Sequence, residues 1–587
     1  MFPTVLIDFT DPRADTAPRL RFGARAPRAT LRAHAPGEVR TVLDQVEDAA
    51  RAGAWVVGQL RYEAAPAFDT ALRTHATDGP LAWFAVFDAP EPWDGALAPG
   101  DASVRWDAPL PRHEFDAAIG RIHGAIAAGE CYQINYTAPL RGHLQGAPHA
   151  LFAALRRAQP GGYAAYLDMG EEAALSVSPE LFFDWHARAD GTGDILARPM
   201  KGTAARAATP GQDAAQAQRL RASPKERAEN VMIVDLLRND LSRIAELHSV
   251  RVPRLFHAQA LPTVWQMTSD VAARTRAGTR LADVFGALFP CGSVTGAPKP
   301  SAMRLIHALE PTPRGVYCGA IGVVRPDGAG GIAATFNVPI RTVALRGSRA
   351  TCGIGSGITS GATAHDEWSE WRAKRIFVER ASAPFDLLET LALEGGALRH
   401  RAEHLARMAQ GAAHFGLPWD EARVQACLDT LCATHPQGLW RARLRLDALG
   451  APHVEAFTLQ ATATPVVLAL ADQPFAEAHG EFTRHKTTRR AHYAAFAPPP
   501  GAFDTVLYNM AGEITESTFG NVAAWLDGRW ITPALACGLL PGVGRAVALR
   551  EGRVREGVLR LKDVPRVERW AFINSLRGWL DARLRTP

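Results

Sequence analysis

The sequence predicts a mixed α/β chain of the α+β kind, built as two successive units that meet near residue 382. Three observations predict it. Short apolar runs such as TVLID, AWVVGQL and LAWFAVF alternate with Pro/Gly-rich connectors, the pattern of buried strands. Long segments with helical apolar spacing, ASPKERAENVMIVDLLRNDLSRI and AHDEWSEWRAKRIFVERA, interrupt them. At SAPFD (382–386) the second of these helices stops, and a fresh strand-and-helix pattern begins in LLETLALEGGALRHRAEHLARMAQGAAHF.

In chain order, strands occupy the first hundred or so residues, separated by connectors such as APEPWDGALAPGD. A helix follows in HEFDAAIGRIHGAIAAGE, ending near Gly129, and the pattern returns to strand in CYQINYTAPL. Glycine-rich strands, GVYCGAIGVV and ATCGIGSGIT, lie between the two long helices. Near the C-terminus RLKDV reads as a strand carrying Lys562.

With 587 residues and 63.2 kDa, the chain exceeds one ordinary core. It is 47% apolar and 21% charged with mean hydropathy near zero, the composition of a soluble globular protein. No apolar run approaches the ~18 residues of a membrane span. The opening MFPTVLIDFTDPRAD has no basic segment before its short apolar run, which Asp8 interrupts, so no signal peptide is expected. Seven cysteines without CxxC pairs argue against a disulfide framework or zinc ribbon. A cytoplasmic location is the expectation. The net charge of +5 is spread along the chain with no basic tract interleaved with aromatics, which argues against nucleic-acid binding and suits small acidic substrates.

Lysine usage is the sharpest compositional feature. Of 65 basic residues only Lys201, Lys225, Lys299, Lys374, Lys486 and Lys562 are lysine. Arginine serves wherever charge alone is needed, so a lysine can mark a place where a neutral amine is required as nucleophile or imine former.

Two helices carry paired acids: Glu226 and Glu229, then Glu367 and Glu370, each at i, i+3. One reading is solvated faces, with Glu370 and Lys374 an i, i+4 ion pair. The other is that one carboxylate from each helix holds Mg²⁺, a hard ion needing few protein oxygens when substrate supplies another.

The series PELFFDW, ARPMKGTAAR, AENVMIVDLLRNDL, LPTVWQMTSDV, CGSVTGAPKPSAM, RGVYCGAIGVV, PIRTVAL and GIGSGIT resembles, in order, the chorismate-utilising enzymes (anthranilate synthase, isochorismate synthase, aminodeoxychorismate synthase component I) over most of residues 110 to 380. The resemblance implies large antiparallel sheets with outer helices. It implies Glu229 and Glu370 as Mg²⁺ ligands and Arg341 as the partner of one substrate carboxylate. Gly353, Gly355 and Gly357 would let backbone amides approach the other carboxylate, and Thr295 would also bind substrate. Glu180 matches the acid that protonates the departing C4 hydroxyl. Gln133 stands where water-adding members carry a lysine base, and Lys201 stands where anthranilate synthases carry alanine. Lys201 therefore resembles the lysine of aminodeoxychorismate synthases, whose neutral amine attacks C2 of chorismate before ammonia attacks C4. Burial and the metal would lower its pKa. Gln266 departs from the histidine of many relatives. With no glutamine-hydrolysing segment in the sequence, ammonia is expected from solution or from a separate glutamine amidotransferase subunit.

From residue 384 onward, FTRHKTTRRAHY, DTVLYNMAGEITESTFGNVAAW, ITPALACGLLPGVGR and FINSLRG resemble fold-type IV pyridoxal 5'-phosphate enzymes, a two-lobed fold that includes aminotransferases and aminodeoxychorismate lyases. The resemblance implies Lys486 as the imine-forming lysine and Glu516 as the acid beside the pyridine nitrogen. The amides of Val543 and Gly544 would hold the phosphate, with Arg407 and Ser575 as its side-chain partners. Position 491 is alanine where branched-chain aminotransferases place tyrosine, and Tyr493 is off that register. Relatives of this kind often pair, so a homodimer is expected by analogy.

The combination implies synthesis of p-aminobenzoate from chorismate and ammonia: amination, then elimination of pyruvate. An anthranilate or isochorismate synthase joined to an aminotransferase is disfavoured by Lys201 and Gln133. A catalytically silent half that presents a glutaminase is disfavoured by the retention of Glu180, Lys201, Glu229 and Glu370. For the second unit, a D-amino-acid or branched-chain-type aminotransferase stays open, since lysine, glutamate and phosphate loop are common to both.

Overall fold

The structure is a computed structural model that describes residues 2–14, 18–97, 100–206, 210–260 and 264–585. The chain divides into two compact units, Met1–Pro384 and Phe385–Pro587.

The first unit holds two ten-stranded antiparallel sheets. Strand β1 (Val5–Phe9) shows how they pack. Val5, Ile7 and Phe9 point to one face and meet Val57, Trp83, Ala85, Ile321 and Val323 of the other sheet. Leu6, on the opposite face, joins a core shared with the outer helices Arg112–Ala127 and Pro148–Ala158. The two-residue period of a strand thus divides its side chains between the two layers. The same sheet contains β2 (Gln133–Gln145).

The other sheet ends in β3 (Met200–Ala205), and α1 (Pro224–Ser242) packs against it. Ser223 caps α1, its Oγ accepting from Glu226 N at 3.4 Å. Beside β3 lies β4 (Val264–Thr275). Returning to the first sheet, β5 (Arg349–Thr359) pairs with β2 over its whole length, and α2 (Ala364–Ala381) follows it.

In the second unit, β6 (Leu387–Glu394) belongs to a four-stranded antiparallel sheet covered by α3 (Arg401–Phe415) and the helix Glu421–Thr434. A second lobe is an eight-stranded sheet with parallel and antiparallel pairs. It includes β7 (Ile514–Ser517) and β8 (Arg569–Asn574), with α4 (Val543–Arg550) packed on β8. RLKDV is not a strand: residues 561–566 form a 3₁₀ helix, Leu561–Arg566. Asp563 caps it by accepting from Arg560 N at 3.0 Å, and Pro565 lacks the N–H a strand ladder needs. No described helix is long and apolar enough to cross a membrane.

Two candidate active sites

Lys201 sits at a β-bulge. The register of β3 against β4 shifts between Met200 and Thr203, and Gly202 adopts φ +95°, a conformation that glycine tolerates. Gln266 stitches the bulge: its Nε2 donates to Gly202 O at 2.8 Å, and its Oε1 accepts from Thr203 Oγ1 at 3.1 Å. Gln266 is therefore a clamp on the segment that aims Lys201.

The Lys201 amine reaches β5 at Gly357. A Cβ built there would collide with Lys201 Nζ and with Gln133 Nε2. Gln133 is fully buried, and among the described residues both its amide atoms lack hydrogen-bond partners. Buried amides are normally satisfied, so this one is set out for a ligand. Gly353 and Gly355 also have a packing reason to be glycine. Their Cβ positions are filled by the Tyr317 ring and the Thr137 side chain, which is a packing requirement.

Glu180 is 3% exposed and accepts from Ser293 Oγ at 2.6 Å. Burial pushes its pKa up to about 7, against the opposing pull of the Ser293 hydroxyl and the Lys201 charge. A pKa near 7 leaves a substantial share of it protonated at neutrality, as a general acid requires. Ser293, in the CGSVTG stretch, carries no sequence signal for this role, because the residue it serves lies 113 positions away. Thr295 is buried, and its Oγ1 donates to Cys291 O at 3.0 Å, so its hydroxyl proton is directed to the backbone.

Arg341 (φ +52°) ties β5's neighbourhood to α2. Its Nη1 donates to Lys374 O, and its guanidinium stands 5.2 Å from the Phe377 ring. Burial lowers its pKa while Cys352, Tyr317 and Glu370 oppose that.

The paired acids of α1 and α2 share one field. Burial and the charges of Glu229 and Glu370 raise Glu226, and burial together with Glu370 raises Glu367, whose carboxylate accepts from Ser356 Oγ at 2.5 Å. Glu370 is 2.6 Å from Lys374 Nζ; burial would raise its pKa, but that ammonium holds it below the ordinary value. Glu229 and Glu370 are hard oxygen donors of the kind a divalent cation takes, with Glu370 ion-paired to Lys374 in this structure. Among the described residues, no group of three acidic, histidine or cysteine side chains is placed to hold a metal ion by itself.

In the second unit Lys486 follows the short helix Glu481–Arg484, and its carbonyl accepts from Leu388 N at 3.0 Å, fixing it beside β6. Its side chain borders a narrow cleft with Glu389, Arg407 and His485. Withdrawal from water and the nearby Arg407 push its pKa down to about 8. Glu516 on β7 is 3% exposed and pushed up to about 7 by burial, while accepting from Tyr493 Oη at 2.7 Å and Leu540 N at 3.0 Å. Tyr493, set aside in the sequence as off register, thus enters the site through Glu516.

Val543 opens α4 behind Gly542, so the Val543 and Gly544 amides stand at a helix N-terminus. A Cβ on Gly544 would lie 2.7 Å from Asn574 C and 2.9 Å from Ser575 N, so glycine is what lets α4 approach Ser575. Arg407 donates to Glu389 through Nε (2.8 Å) and Nη2 (2.6 Å) and to Pro541 O through Nη1 (3.1 Å). Among the described residues, two of its five N–H hydrogens remain without a partner and are available to a ligand. A desolvated amine, a buried acid and a glycine-lined helix start with arginine and serine beside it fit a phosphate-bearing aldehyde cofactor.

Comparison with known proteins agrees with this division. Residues 96–380 match the chorismate binding enzyme family and residues 386–584 the class IV amino-transferase family. The chain therefore carries a chorismate binding enzyme domain followed by a class IV amino-transferase domain. It is 39% identical over 290 residues to aminodeoxychorismate synthase component 1 of Klebsiella aerogenes, which covers 49% of this chain and 61% of that one. It is 41% identical over 266 residues to aminodeoxychorismate synthase of Streptomyces griseus, covering 45% and 36% respectively. The chain thus spans less than two thirds of the length of these relatives. A 2,3-dihydroxybenzoate-specific isochorismate synthase structure from Bacillus anthracis shares the fold of the first unit at TM-score 0.51 and 18% identity, covering 64% of this chain and 95% of that one.

Proposed function

We propose that the chain makes p-aminobenzoate from chorismate in two steps, amination in the first unit and elimination of pyruvate in the second. The carrying observation is the convergence of Lys201, Gln133 and Glu180: an amine aimed by a bulge, an unpartnered amide beside it, and a carboxyl group whose pKa burial raises to about 7.

In the first step, Lys201 Nζ bonds to C2 of chorismate, both conjugated ring double bonds shift, and the C4 hydroxyl leaves with the proton of Glu180 as water. Ammonia then bonds to C4, and the reverse shift expels Lys201 from C2, giving 4-amino-4-deoxychorismate. Arg341 and the buried Gln133 amide orient the substrate. Glu229 and Glu370 would hold Mg²⁺, which would supply a hard Lewis acid for a substrate carboxylate. The ammonia comes from solution or a separate amidotransferase subunit.

In the second step, Lys486 removes the proton at C4 of that product, the C3–O bond breaks with aromatisation as the driving force, and the side chain departs as the enolate of pyruvate, which takes up a proton at its methylene carbon. Bound pyridoxal phosphate would supply the electron sink for the charge left at C4. Glu516 would pair with its ring nitrogen, and Val543, Gly544, Arg407 and Ser575 with its phosphate. The same groups would serve an aminotransferase, so product identity separates the two reactions.

Omitting ammonia tests the first step. With chorismate and Mg²⁺ alone, mass spectrometry should find the Lys201 peptide heavier by chorismate less water. An unmodified peptide, with chorismate turned over once ammonia is added, would refute covalent amination.

A further inference from the structure

Glu389, His404 and Ser575 form a buried chain behind the phosphate position of the second unit. Besides its two bonds from Arg407, Glu389 lies with Oε2 2.5 Å from His404 Nδ1. His404 in turn places Nε2 2.7 Å from Ser575 Oγ. Glu389 and His404 are each 1% exposed and Ser575 7%. Both side chains read as phosphate partners are therefore held from behind by one carboxylate, Arg407 directly and Ser575 through His404.

Donor counting then limits the protonation of the chain. Burial alone would raise the pKa of Glu389, but the Arg407 charge and the bonds from His404 and Arg407 bring it down to about 2. An ionised carboxylate only accepts, so His404 Nδ1 carries a hydrogen. A bare Nε2 would take the Ser575 proton, and Ser575 would then present only lone pairs to the site. A protonated Nε2 would donate to Ser575 Oγ and free the hydroxyl proton to turn forward. A phosphate dianion offers acceptors alone, which suits only the second arrangement. Charge agrees with this. Glu389 cancels Arg407, so a neutral His404 leaves these three groups with no net charge, whereas its imidazolium leaves one positive charge facing the dianion.

We propose that His404 is a positioning residue that, as the imidazolium, turns the Ser575 hydroxyl proton toward the cofactor phosphate, while Glu389 aims His404 and Arg407 together. This rests on the reading of the second unit as a pyridoxal phosphate site. His404 touches no reacting atom and acts through Ser575.

The test compares binding of pyridoxal phosphate and of phosphate-free pyridoxal to the full chain carrying Ser575→Ala, His404→Leu, both together, or His404→Gln. Each single change to Ala or Leu should weaken pyridoxal phosphate about tenfold, and the pair should be no weaker than either alone. Pyridoxal binding should be unchanged, and His404→Gln, which keeps an amide donor, should recover most of the loss. The ³¹P resonance of the bound phosphate should move equally in Ser575→Ala and His404→Leu. Additive losses of about a hundredfold in the double variant, or equal loss of pyridoxal, would overturn the relay and leave only packing. A second measurement needs no variant: ¹⁵N resonances of His404 in the loaded wild-type chain should show both ring nitrogens protonated, and a neutral ring would overturn the proposal. If the wild-type chain bound no pyridoxal phosphate, the reading of the unit itself would fall, and the relay with it.

Discussion

Lys201 Nζ occupies the space that a side chain on Gly357 would need, although 156 positions separate the two residues. The amine is set between a bulge on one sheet and a glycine on the other. A single methyl group on β5 is therefore a direct probe of its placement.

Gly357→Ala should displace both Lys201 and Gln133 while leaving the β2–β5 pairing intact. The expected outcome is a fall in kcat/KM for chorismate amination of about a hundredfold, with a melting temperature close to wild type. Steady-state kinetics and calorimetry check the two halves of that statement.

Ser293→Ala should shift a pH profile. Glu180 acts as a proton donor, so amination should fall as pH rises through its pKa of about 7. The Ser293 hydrogen bond stabilises the carboxylate and lowers that pKa. Its removal should raise the pKa and move the falling limb to higher pH. A limb moved to lower pH, or left in place, would remove Glu180 as the acid.

Lys486 should be the chain's most reactive lysine. Its pKa of about 8 makes a large fraction of it neutral at pH 8, where an ordinary lysine near 10.4 is almost wholly protonated. Brief treatment with pyridoxal phosphate and borohydride at that pH, followed by peptide mapping, should place the label first on residue 486. Lys486→Arg should abolish that label.

Tyr493→Phe should impair the second step alone. The phenol donates to Glu516 and stabilises its carboxylate form, so its loss should raise the Glu516 pKa from about 7. Pyruvate release from supplied 4-amino-4-deoxychorismate should slow about tenfold, with amination unchanged.

Much of the fold was legible because burial writes itself into local pattern. Val5, Ile7 and Phe9 against Leu6 display the two faces of a strand within five residues. RLKDV misled because a short mixed stretch carries too little periodicity to outweigh Pro565 and the Asp563 cap. At the sites, Lys201 and Lys486 stand out because arginine is the default cation of this chain. Ser293, Tyr493, Glu389 and His404 do not stand out, since each matters only through a partner the fold brings to it. Ser293 meets Glu180 across 113 positions and His404 meets Ser575 across 171, distances over which a single sequence records no pairing. The packing role of Gly353 and Gly355 was equally hidden, because a glycine that admits Tyr317 looks like one that admits a substrate.

The most direct test of the two-step account is to supply the purified chain with chorismate, ammonium, Mg²⁺ and pyridoxal phosphate and identify the aromatic product by mass and fluorescence. The account predicts p-aminobenzoate with equimolar pyruvate, no turnover in Lys201→Ala, and 4-amino-4-deoxychorismate accumulating in Lys486→Ala. Anthranilate as the product would contradict the reading of the first site, and an aminated intermediate that the wild-type chain never aromatises would contradict the second.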